Sequence, residues 1–495
     1  MKYDPSKLFN RQGYISLKEY IEDIRYMMDN GPWRLPIRIV DYVQFYFLMF
    51  IEKFSWFSNK LYILHPSAVS PSYAIITSYL KKKDIFSSYS ERDIHFRGFF
   101  SYYFEKRFEG TKHTMSGYGI FEDQSVAFSK ALGEILERTI SGAYDMNIDI
   151  KHLSYNEISK KYAVLYPPKY HRFLDVQKKM FKVLNYDQSC AVDWVGGINL
   201  TTKEKTYIPK QMTSWFKQDF TVDYVFINST TNGSAGYFSK EGATLRGLLE
   251  VIQRDAFLVH WLTMIPPETI DQNTLPYDIQ HKIEEFKKFG ISIYIANTTS
   301  LSIPSVIIIA INEQSHSPQV FITGGSSLNF FEAIITGLRE MIVGVEMFYF
   351  NNKDIELFVK KDNPPFVSRF GQIERQIYWR GKEKVEKFKW FLSGEVVTYQ
   401  DIIKGDILCT DTDKLNKCIE ILKEKGEDYY PVVYFPENRI QEELGFYVAQ
   451  VFIPKAFPLY LSEYFGTFDS DRLQEFAESK NVKDWKLNKL PHMFP

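Results

Sequence analysis

Apolar and small residues recur at helical spacing in three separate stretches of the chain. Each stretch has an Ala, a second small residue four positions later, a Leu, and a Glu seven positions after the Ala; the stretches are residues 127–134, 243–250 and 333–340. Offsets of four and seven lie on one face of a helix, and small residues there let the helix approach its neighbour closely. A glycine precedes each stretch by seven or eight residues, at Gly119, Gly236 and Gly325. The pattern predicts three copies of a strand, a glycine turn and a helix.

Short β-branched runs alternate with helical patterns from about residue 99 onward. The strand candidates are Ile291–Ala296, Val306–Asn312 and Val320–Thr323, together with a hairpin over residues 191–209. This alternation predicts a mixed α+β or α/β domain over residues 99–495. Residues 1–98 are predicted to form a mostly helical, aromatic-rich segment. Its stretch 33–57 is either a docking region for a partner or part of the protein's own core.

The composition narrows the class of protein. The chain of 495 residues has 60 Lys and Arg against 61 Asp and Glu, so bulk positive charge does not bind it to nucleic acid. Its three cysteines form no C-x-x-C pair, which favours a reducing cytoplasm. The most apolar run, residues 42–51, is about half the ~20 residues that a membrane-spanning helix needs. We therefore expect a cytoplasmic protein with neither a transmembrane segment nor a nucleic-acid partner.

Two of the predicted helices carry polar side chains on one face. Each has a Glu, a polar residue three positions later and an Arg one position further on: Glu134, Glu137 and Arg138, then Glu250, Gln253 and Arg254. Apolar neighbours indicate that both helices are largely buried, and a buried charge needs a partner or a ligand. Carboxylates from separate helices suit a hard cation such as Mg²⁺, which prefers oxygen ligands and bridges phosphates. Ordinary helix packing is the alternative that these residues alone leave open.

Taken in chain order, these motifs resemble the YcaO family. The matching segments are Ser116–Gly119 with Gly133–Arg138, Trp194–Leu200, Asn232–Gly236 with Gly247–Phe257, and Gly337–Glu340. The resemblance runs from about residue 99 to residue 495. It implies a YcaO-type fold and an enzyme that uses ATP and Mg²⁺ to activate a backbone amide of a peptide.

The resemblance also implies roles for individual residues. Mg²⁺ ligands are expected at Glu134, Glu137 and Glu250. Residues of the ATP site are expected at Lys130, Glu134, Arg138, Asn232, Glu241, Gln253, Arg254 and Arg339. The candidate catalytic bases are the carboxylate of Pro495 and, as the second choice, His492. Departures from the family pattern fall at Tyr118, Lys130, Gln253 and Thr336.

The tail 490–495, LPHMFP, resembles the Pro-rich ending of azoline-forming members of the family, with Met493 in place of the middle Pro. We therefore expect a cyclodehydratase that converts Cys, Ser or Thr of a ribosomally made precursor peptide to thiazoline or oxazoline. A thioamide- or amidine-forming enzyme is one alternative. A nucleotide-binding subunit without its own catalysis is another, favoured by the departures from the family pattern.

The same resemblance implies partners. Besides the precursor peptide, we expect a separate protein of the ubiquitin-activating type that carries a leader-recognition domain. A flavin dehydrogenase in the same complex and a homodimer of this chain are further expectations.

Overall fold

The structure of the protein is a computed structural model that describes residues 73–108, 114–143, 149–181, 186–213, 226–227, 229–312, 319–350, 375–376, 378–403, 410–436 and 439–494. It divides into two compact units. The first unit comprises the described residues within Met1–Met146, Gly236–Ser239 and Glu437–Val448. The second comprises those within Asn147–Ala235, Lys240–Pro436 and Ala449–Pro495.

Strands and helices alternate along the described chain. The strands are β1 Ser88–Glu91, β2 Phe100–Arg107, β3 Thr114–Phe121, β4 Ile150–Ser154, β5 Ala163–Val164, β6 His171–Arg172, β7 Ala191–Asn199, β8 Lys205–Pro209, β9 Ser234–Tyr237, β10 Glu268–Ile270, β11 Ser292–Asn297, β12 Ser305–Asn312, β13 Gln319–Ser326, β14 Val396–Val397, β15 Val432–Tyr434, β16 Tyr447–Phe452 and β17 Asp469–Ser470. The α-helices are α1 Tyr73–Lys82, α2 Gln124–Ala143, α3 Tyr155–Ile158, α4 Asp175–Phe181, α5 Lys210–Thr213, α6 Lys240–Thr263, α7 Tyr277–Lys287, α8 Phe330–Gly344, α9 Lys382–Phe388, α10 Tyr399–Ile402, α11 Asp411–Glu424, α12 Arg439–Leu444 and α13 Asp471–Ser479. A π-helix, Val345–Phe350, continues α8.

The first unit is built on a small antiparallel sheet in the order β1-β2-β3. Helix α2 packs directly on β3, and the two glycines of the strand, Gly117 and Gly119, make this possible. A Cβ atom at Gly119 would lie 2.2 Å from the carbonyl oxygen of Ala127 and 2.5 Å from the backbone nitrogen of Ala131. Only a residue without a side chain fits so close to a helix backbone. Strand β1, which precedes the predicted boundary near residue 99, pairs with β2 beyond it.

The second unit contains a five-stranded sheet in the order β13-β12-β11-β10-β14. It also contains the strands β5-β8-β7-β15 of a larger sheet, with β4 paired to β7, together with residues 449–452 of β16 and 234–235 of β9. Every residue of β12 and β13 is buried. Helix α8 packs on β13 as α2 packs on β3, because a Cβ at Gly325 would lie 1.9 Å from the carbonyl oxygen of Ala333. The β-branched residues of these strands fill a core that also receives one face of α6.

The C-terminal segment belongs to this core. Met493 and Phe494 are buried among aromatic side chains of α6, including Phe257 and Trp261. Residues 491–494, which follow a largely exposed polar stretch, are therefore an internal part of the second unit.

The mixed α+β fold predicted from the sequence is confirmed, and so are the three strand-then-helix pairs and the hairpin of β7 and β8. The glycines, however, differ from the prediction. Gly119, Gly236 and Gly325 lie within strands rather than in turns. Residues 33–57 lie outside the described residues, and the domain boundary near residue 99 stays a prediction. Among the residues that the structure describes, none of the helices combines the length and apolarity required to cross a bilayer.

Candidate functional site

In the first unit, Glu134 is held by the strand beside its helix. Its Oε2 accepts a hydrogen bond from the backbone N–H of Tyr118 at 2.7 Å. Its Oε1 pairs with Nη2 of Arg138, one helical turn further on, at 2.5 Å. Arg138 in turn donates from Nη1 to the carbonyl oxygen of Ser116 at 2.8 Å. About a third of each charged side chain remains exposed, 32% for Glu134 and 33% for Arg138, so a ligand can reach the pair.

Two further predicted residues lie on the same helix. Glu137 accepts a hydrogen bond at Oε2 from the backbone N–H of Gly236 at 3.1 Å. Lys130 is partly buried, and its ammonium lies 5.8 Å from the centre of the Phe121 ring. Tyr118, which departs from the family pattern, contributes its backbone N–H to Glu134, while its hydroxyl accepts a hydrogen bond from Ser101. The Glu134 contact thus depends on the backbone at residue 118 and tolerates the change of side chain.

The second unit repeats this arrangement around Glu250. Its Oε2 accepts from the backbone N–H of Gly233 at 3.1 Å, and its Oε1 accepts from Nη2 of Arg254 at 3.2 Å. Here the pair is less exposed: 27% for Glu250 and 14% for Arg254. The ring of Phe494 covers the guanidinium, whose carbon lies 3.8 Å from the ring centre.

Burial changes the electrostatics of this second pair. Loss of hydration raises the pKa of Glu250 above its ordinary value, and the positive charge of Arg254 opposes that rise only in part. The negative charge of Glu340 raises the pKa of Glu250 further. Burial likewise lowers the pKa of Arg254. The pair is therefore a site where an additional positive charge, such as a bound cation, would stabilise the ionised carboxylate.

The turn before α6 offers an unpaired oxygen. Gly233 has φ +78°, and a Cβ there would lie 2.2 Å from the carbonyl oxygen of Val451, so the turn requires glycine. Next to it, Oδ1 of Asn232 is buried without a hydrogen-bond partner. Buried polar atoms are normally satisfied. An amide oxygen beside a carboxylate can bind Mg²⁺ or accept a hydrogen bond from a nucleotide hydroxyl, so these residues fit the predicted ATP and Mg²⁺ site.

Three other predicted ATP-site residues lie around α6 and α8. Gln253 faces β13, since a Cβ at Gly324 would lie 2.6 Å from its Nε2. Glu241 is exposed in the first turn of α6. Arg339 lines a surface cavity of 440 Å³ between α7 and α8, and neither Glu250 nor Arg254 lines that cavity.

The structure adds Glu340 to the candidates, because its charge acts on both Glu250 and Arg254. It occupies the same position in the third repeat as Glu134 and Glu250 in the first two. The threefold repeat in the sequence could therefore have identified Glu340 as a candidate. Within the described part of the chain, no three His, Cys, Asp or Glu side chains converge as a ready-made metal cage. Mg²⁺ commonly binds through one or two carboxylates plus substrate phosphates and water, so such a cage is not required.

The structure describes only one of the two candidate bases. Pro495 lies outside the described residues. His492 is fully buried, and its Nε2 lies 2.8 Å from the carbonyl oxygen of Tyr460, to which it donates. Its Nδ1 is buried without a hydrogen-bond partner. Burial lowers the pKa of His492 well below its usual value, so the ring is neutral at physiological pH.

The family model for YcaO, described as a cyclodehydratase that binds ATP and Mg²⁺, matches residues 116–456. This chain therefore belongs to the YcaO family, as the motifs of the sequence predicted. ATP and Mg²⁺ are the cofactors of that family, and the prediction of both is confirmed. No curated protein is similar enough to this sequence to count as a relative.

Solved structures share the fold at low sequence identity. A heterocyclase in complex with substrate and cofactor has a TM-score of 0.66 and 18% identity; the match covers 83% of this chain and 55% of that one. This chain thus spans about half the length of that heterocyclase. YcaO from Methanopyrus kandleri, bound with AMPPCP and Mg²⁺, has a TM-score of 0.59 and 15% identity over 79% of this chain and 92% of that one. The E. coli microcin synthetase McbBCD complex with pro-MccB17 bound has a TM-score of 0.50 and 12% identity over 82% and 97%.

Proposed function

We propose that this protein is an ATP-dependent cyclodehydratase that forms azolines in a ribosomally made precursor peptide. In this reaction the thiol or hydroxyl of a Cys, Ser or Thr attacks the preceding backbone carbonyl. The oxygen of that carbonyl is then lost and a thiazoline or oxazoline ring remains. The net change for each ring is the loss of one water.

The repeated carboxylate–arginine pair is the observation that carries this proposal. Glu134 and Glu250 each accept one hydrogen bond from a strand or turn backbone and one from the arginine a turn later. Both carboxylates are thereby fixed in direction while part of each stays exposed. Fixed, charged groups that do not have to reorganise are what a phosphoryl-transfer site requires.

Each set of residues has a defined task in this proposal. Glu134 and Glu137 of the first unit would each be a Mg²⁺ ligand, and so would Glu250 of the second unit, where Asn232 would supply an amide oxygen. Arg138 and Arg254 would orient phosphate oxygens, and Lys130 and Gln253 would support them. ATP, when bound, supplies the phosphoryl group that makes the amide oxygen a leaving group. Glu241 and Arg339 are assigned to the periphery of the ATP site, because one is exposed and the other lines a separate cavity.

A base must also accept the proton of the attacking thiol or hydroxyl. Pro495 is the first candidate, because its carboxylate would follow directly on Phe494, which lies against Arg254. His492 is a poorer base, since its Nε2 already donates to a carbonyl and burial keeps the ring neutral. We therefore assign His492 to holding the tail in place and propose that the carboxylate accepts the proton.

The proposal includes partners. The microcin synthetase, one of the structures with the same fold, is a complex of several proteins with a peptide bound. By analogy we propose a precursor peptide as substrate and a separate ubiquitin-activating-type protein that recognises its leader. A flavin dehydrogenase and a second copy of this chain would complete such a complex. The cytoplasm is the proposed location.

Co-expression of this chain with a candidate precursor peptide and the proteins encoded beside it tests the proposal. Intact-mass spectrometry should show the loss of one water per modified Cys, Ser or Thr, dependent on ATP in the purified system. Exchange of oxygen for sulfur, without loss of water, would instead indicate thioamide formation. ATP binding with no change in peptide mass under any combination of partners would contradict a catalytic role.

A further inference from the structure

Four successive carbonyl groups near the end of the chain are bound by four different side chains. Trp261 donates to the carbonyl oxygen of Leu490 at 3.3 Å, and Trp379 donates to that of Pro491 at 2.8 Å. Arg375 donates to the carbonyl oxygen of His492 at 3.0 Å, and Gln376 donates to that of Met493 at 2.7 Å. We call these four donors, Trp261, Arg375, Gln376 and Trp379, the tail clamp.

The side chains of the tail clamp take the place of the backbone hydrogen bonds that a neighbouring strand would provide. Buried carbonyl oxygens must be paired, and a sheet would pair them with backbone N–H groups. Residues 490–494 belong to no strand, so side chains do this work. Because each donor binds a different carbonyl, the clamp fixes which residue of the tail lies at which point of the core. A shift of the tail by one residue would place the wrong side chain in every pocket.

The clamp itself is rigidly supported. Arg375 is fully buried, pairs with Glu463 at 2.8 Å and donates from Nε to the carbonyl oxygen of Leu461 at 3.1 Å. A buried ion pair contributes little net stability, because both charges lose their hydration. The ion pair between Arg375 and Glu463 therefore matters mainly because it fixes the direction of the guanidinium, which also binds the carbonyl oxygen of His492.

The register set by the clamp decides where Phe494 lies. Phe494 is 2% exposed, packs 5.2 Å from the ring of Phe257, and covers the guanidinium of Arg254 at 3.8 Å. That guanidinium in turn pairs with Glu250. We propose that the tail clamp is a positioning device for the nucleotide site: it fixes Phe494 over Arg254 and so holds Arg254 against Glu250. This inference rests on the proposed role of Arg254 and Glu250 in ATP binding.

The chain offers a closely matched pair of variants. Trp379 and Trp390 each lie 5.5 Å from the ring of Trp261. Trp379 donates to the tail, whereas the Nε1 of Trp390 is buried without a hydrogen-bond partner. Trp379→Phe therefore removes ring volume and a clamp bond, whereas Trp390→Phe removes ring volume from a partly buried position and leaves the clamp intact. An effect of Trp379→Phe that is confined to the tail and absent in Trp390→Phe reports the clamp.

Hydrogen exchange followed by mass spectrometry measures the tail directly. In Trp379→Phe, peptides that contain residues 489–494 should exchange roughly tenfold faster than in Trp390→Phe, because the segment opens locally. Mg²⁺–ATP affinity, measured by calorimetry, should fall about three- to fivefold in Trp379→Phe, as for loss of a cation–π contact. Equal exchange in the two tryptophan variants would overturn the inference.

A double-mutant cycle tests whether the clamp acts on ATP binding through the contact of Phe494 with Arg254. Phe494→Leu keeps an apolar side chain but removes the ring over Arg254, and it should lower ATP affinity as Trp379→Phe does. If both act through Arg254, the two losses in affinity do not add. Fully additive losses would contradict the proposed route. Arg254→Gln separates the two proposals: unchanged ATP affinity in that variant contradicts the site assignment, while the exchange experiment still decides whether the clamp holds the tail.

Discussion

The Glu134–Arg138 and Glu250–Arg254 pairs share one arrangement but differ in what surrounds them. In each, a backbone N–H and the arginine one turn later hold the carboxylate. Arg138 is 33% exposed and Arg254 only 14%, because Phe494 covers the second guanidinium. The same local sequence pattern thus produces one pair in which both charges are solvent-accessible and one pair whose arginine is covered by the C-terminal segment. The second pair depends on residues more than 200 positions away in the sequence.

This difference gives the two pairs different sensitivities. The exposed pair is screened by water and salt, so its contribution to stability is small. The enclosed pair has lost hydration, and its charges must be balanced by each other or by a ligand. We therefore expect changes at the second pair to affect folding as well as ATP binding, and changes at the first to affect ATP use alone.

Deletion of residues 491–495 should produce the largest effect. It removes the buried Met493 and Phe494 and leaves three of the four clamp donors, Trp379, Arg375 and Gln376, without acceptors, so the free energy of unfolding should fall by about 5 kcal/mol or more. Denaturant unfolding measures this loss. The matched control removes Pro495 alone, which keeps the clamp: stability and ATP affinity should stay close to wild type, while cyclisation falls roughly tenfold or more if the carboxylate is the base. Full cyclisation by that control would refute the role of Pro495.

Replacing either glutamate by glutamine should have the second-largest effect. Glu134→Gln and Glu250→Gln should each reduce ATP-dependent peptide modification by about 100-fold or more, as expected for loss of a fixed charge at a phosphoryl-transfer site. Glu250→Gln should also lower stability more than Glu134→Gln, because it leaves the enclosed Arg254 without its carboxylate. Glu284→Gln is the control, since Glu284 forms an exposed pair with Lys287 on α7. Wild-type turnover in both site variants would remove these residues from the ATP site.

Glycine substitutions examine the backbone that holds each carboxylate. Gly119→Ala and Gly233→Ala should each destabilise the protein by about 3 kcal/mol, because the new Cβ would meet a backbone oxygen 2.2 Å away. Gly98→Ala is the control: Gly98 also has a positive φ, +81°, but nothing lies within 4 Å of its Cβ position. It should cost only about 1 kcal/mol, the penalty of the left-handed backbone conformation. Equal thermal shifts for the three variants would show that the close contacts do not matter.

The pH dependence of stability should distinguish the pairs most finely. Burial raises the folded-state pKa of Glu250 above its value in the unfolded chain. Protonated Glu250 therefore contributes to the free energy of unfolding. This contribution is fully present below about pH 4.3 and is lost as the pH rises through the pKa of the folded state. Relative to Glu250→Gln, the wild type should lose about 1.4 kcal/mol of stability for each tenfold difference in proton affinity of Glu250 between the folded and unfolded states. Urea unfolding of both proteins between pH 4.5 and 7.5 measures the difference, and parallel curves would contradict it.

The sequence predicted the local geometry of the two carboxylate–arginine pairs well. Helical spacing identified Glu134 and Glu250, and the arginine four residues later was visible as an i, i+4 neighbour. The position of the backbone donors was only partly predictable. Gly233 was expected as a turn, but its N–H bond to Glu250 depends on the meeting of the turn and α6.

Long-range features could not be obtained from spacing. The repeat placed Arg339 and Glu340 on the same helix, yet the choice between them depends on which face of α8 meets α7 and which meets the Glu250 pair. The partners of the tail are equally hidden, because Trp261, Arg375 and Gln376 share no motif and come together only through folding. The glycines were predicted to form turns because glycine most often serves where the backbone needs an unusual conformation. In this protein they are needed because they have no side chain.

The contacts of Gly119 and Gly325 have a consequence for how this family can diverge. A side-chain clash can be relieved by shrinking the neighbour, so substitutions in a packed core can drift in compensating pairs. At these glycines the neighbours are the backbone atoms of Ala127 and Ala333, which no substitution can shrink. A genetic screen for second-site suppressors of Gly119→Ala should therefore recover none in α2. We therefore expect such positions to resist substitution more strongly than positions whose neighbours are side chains.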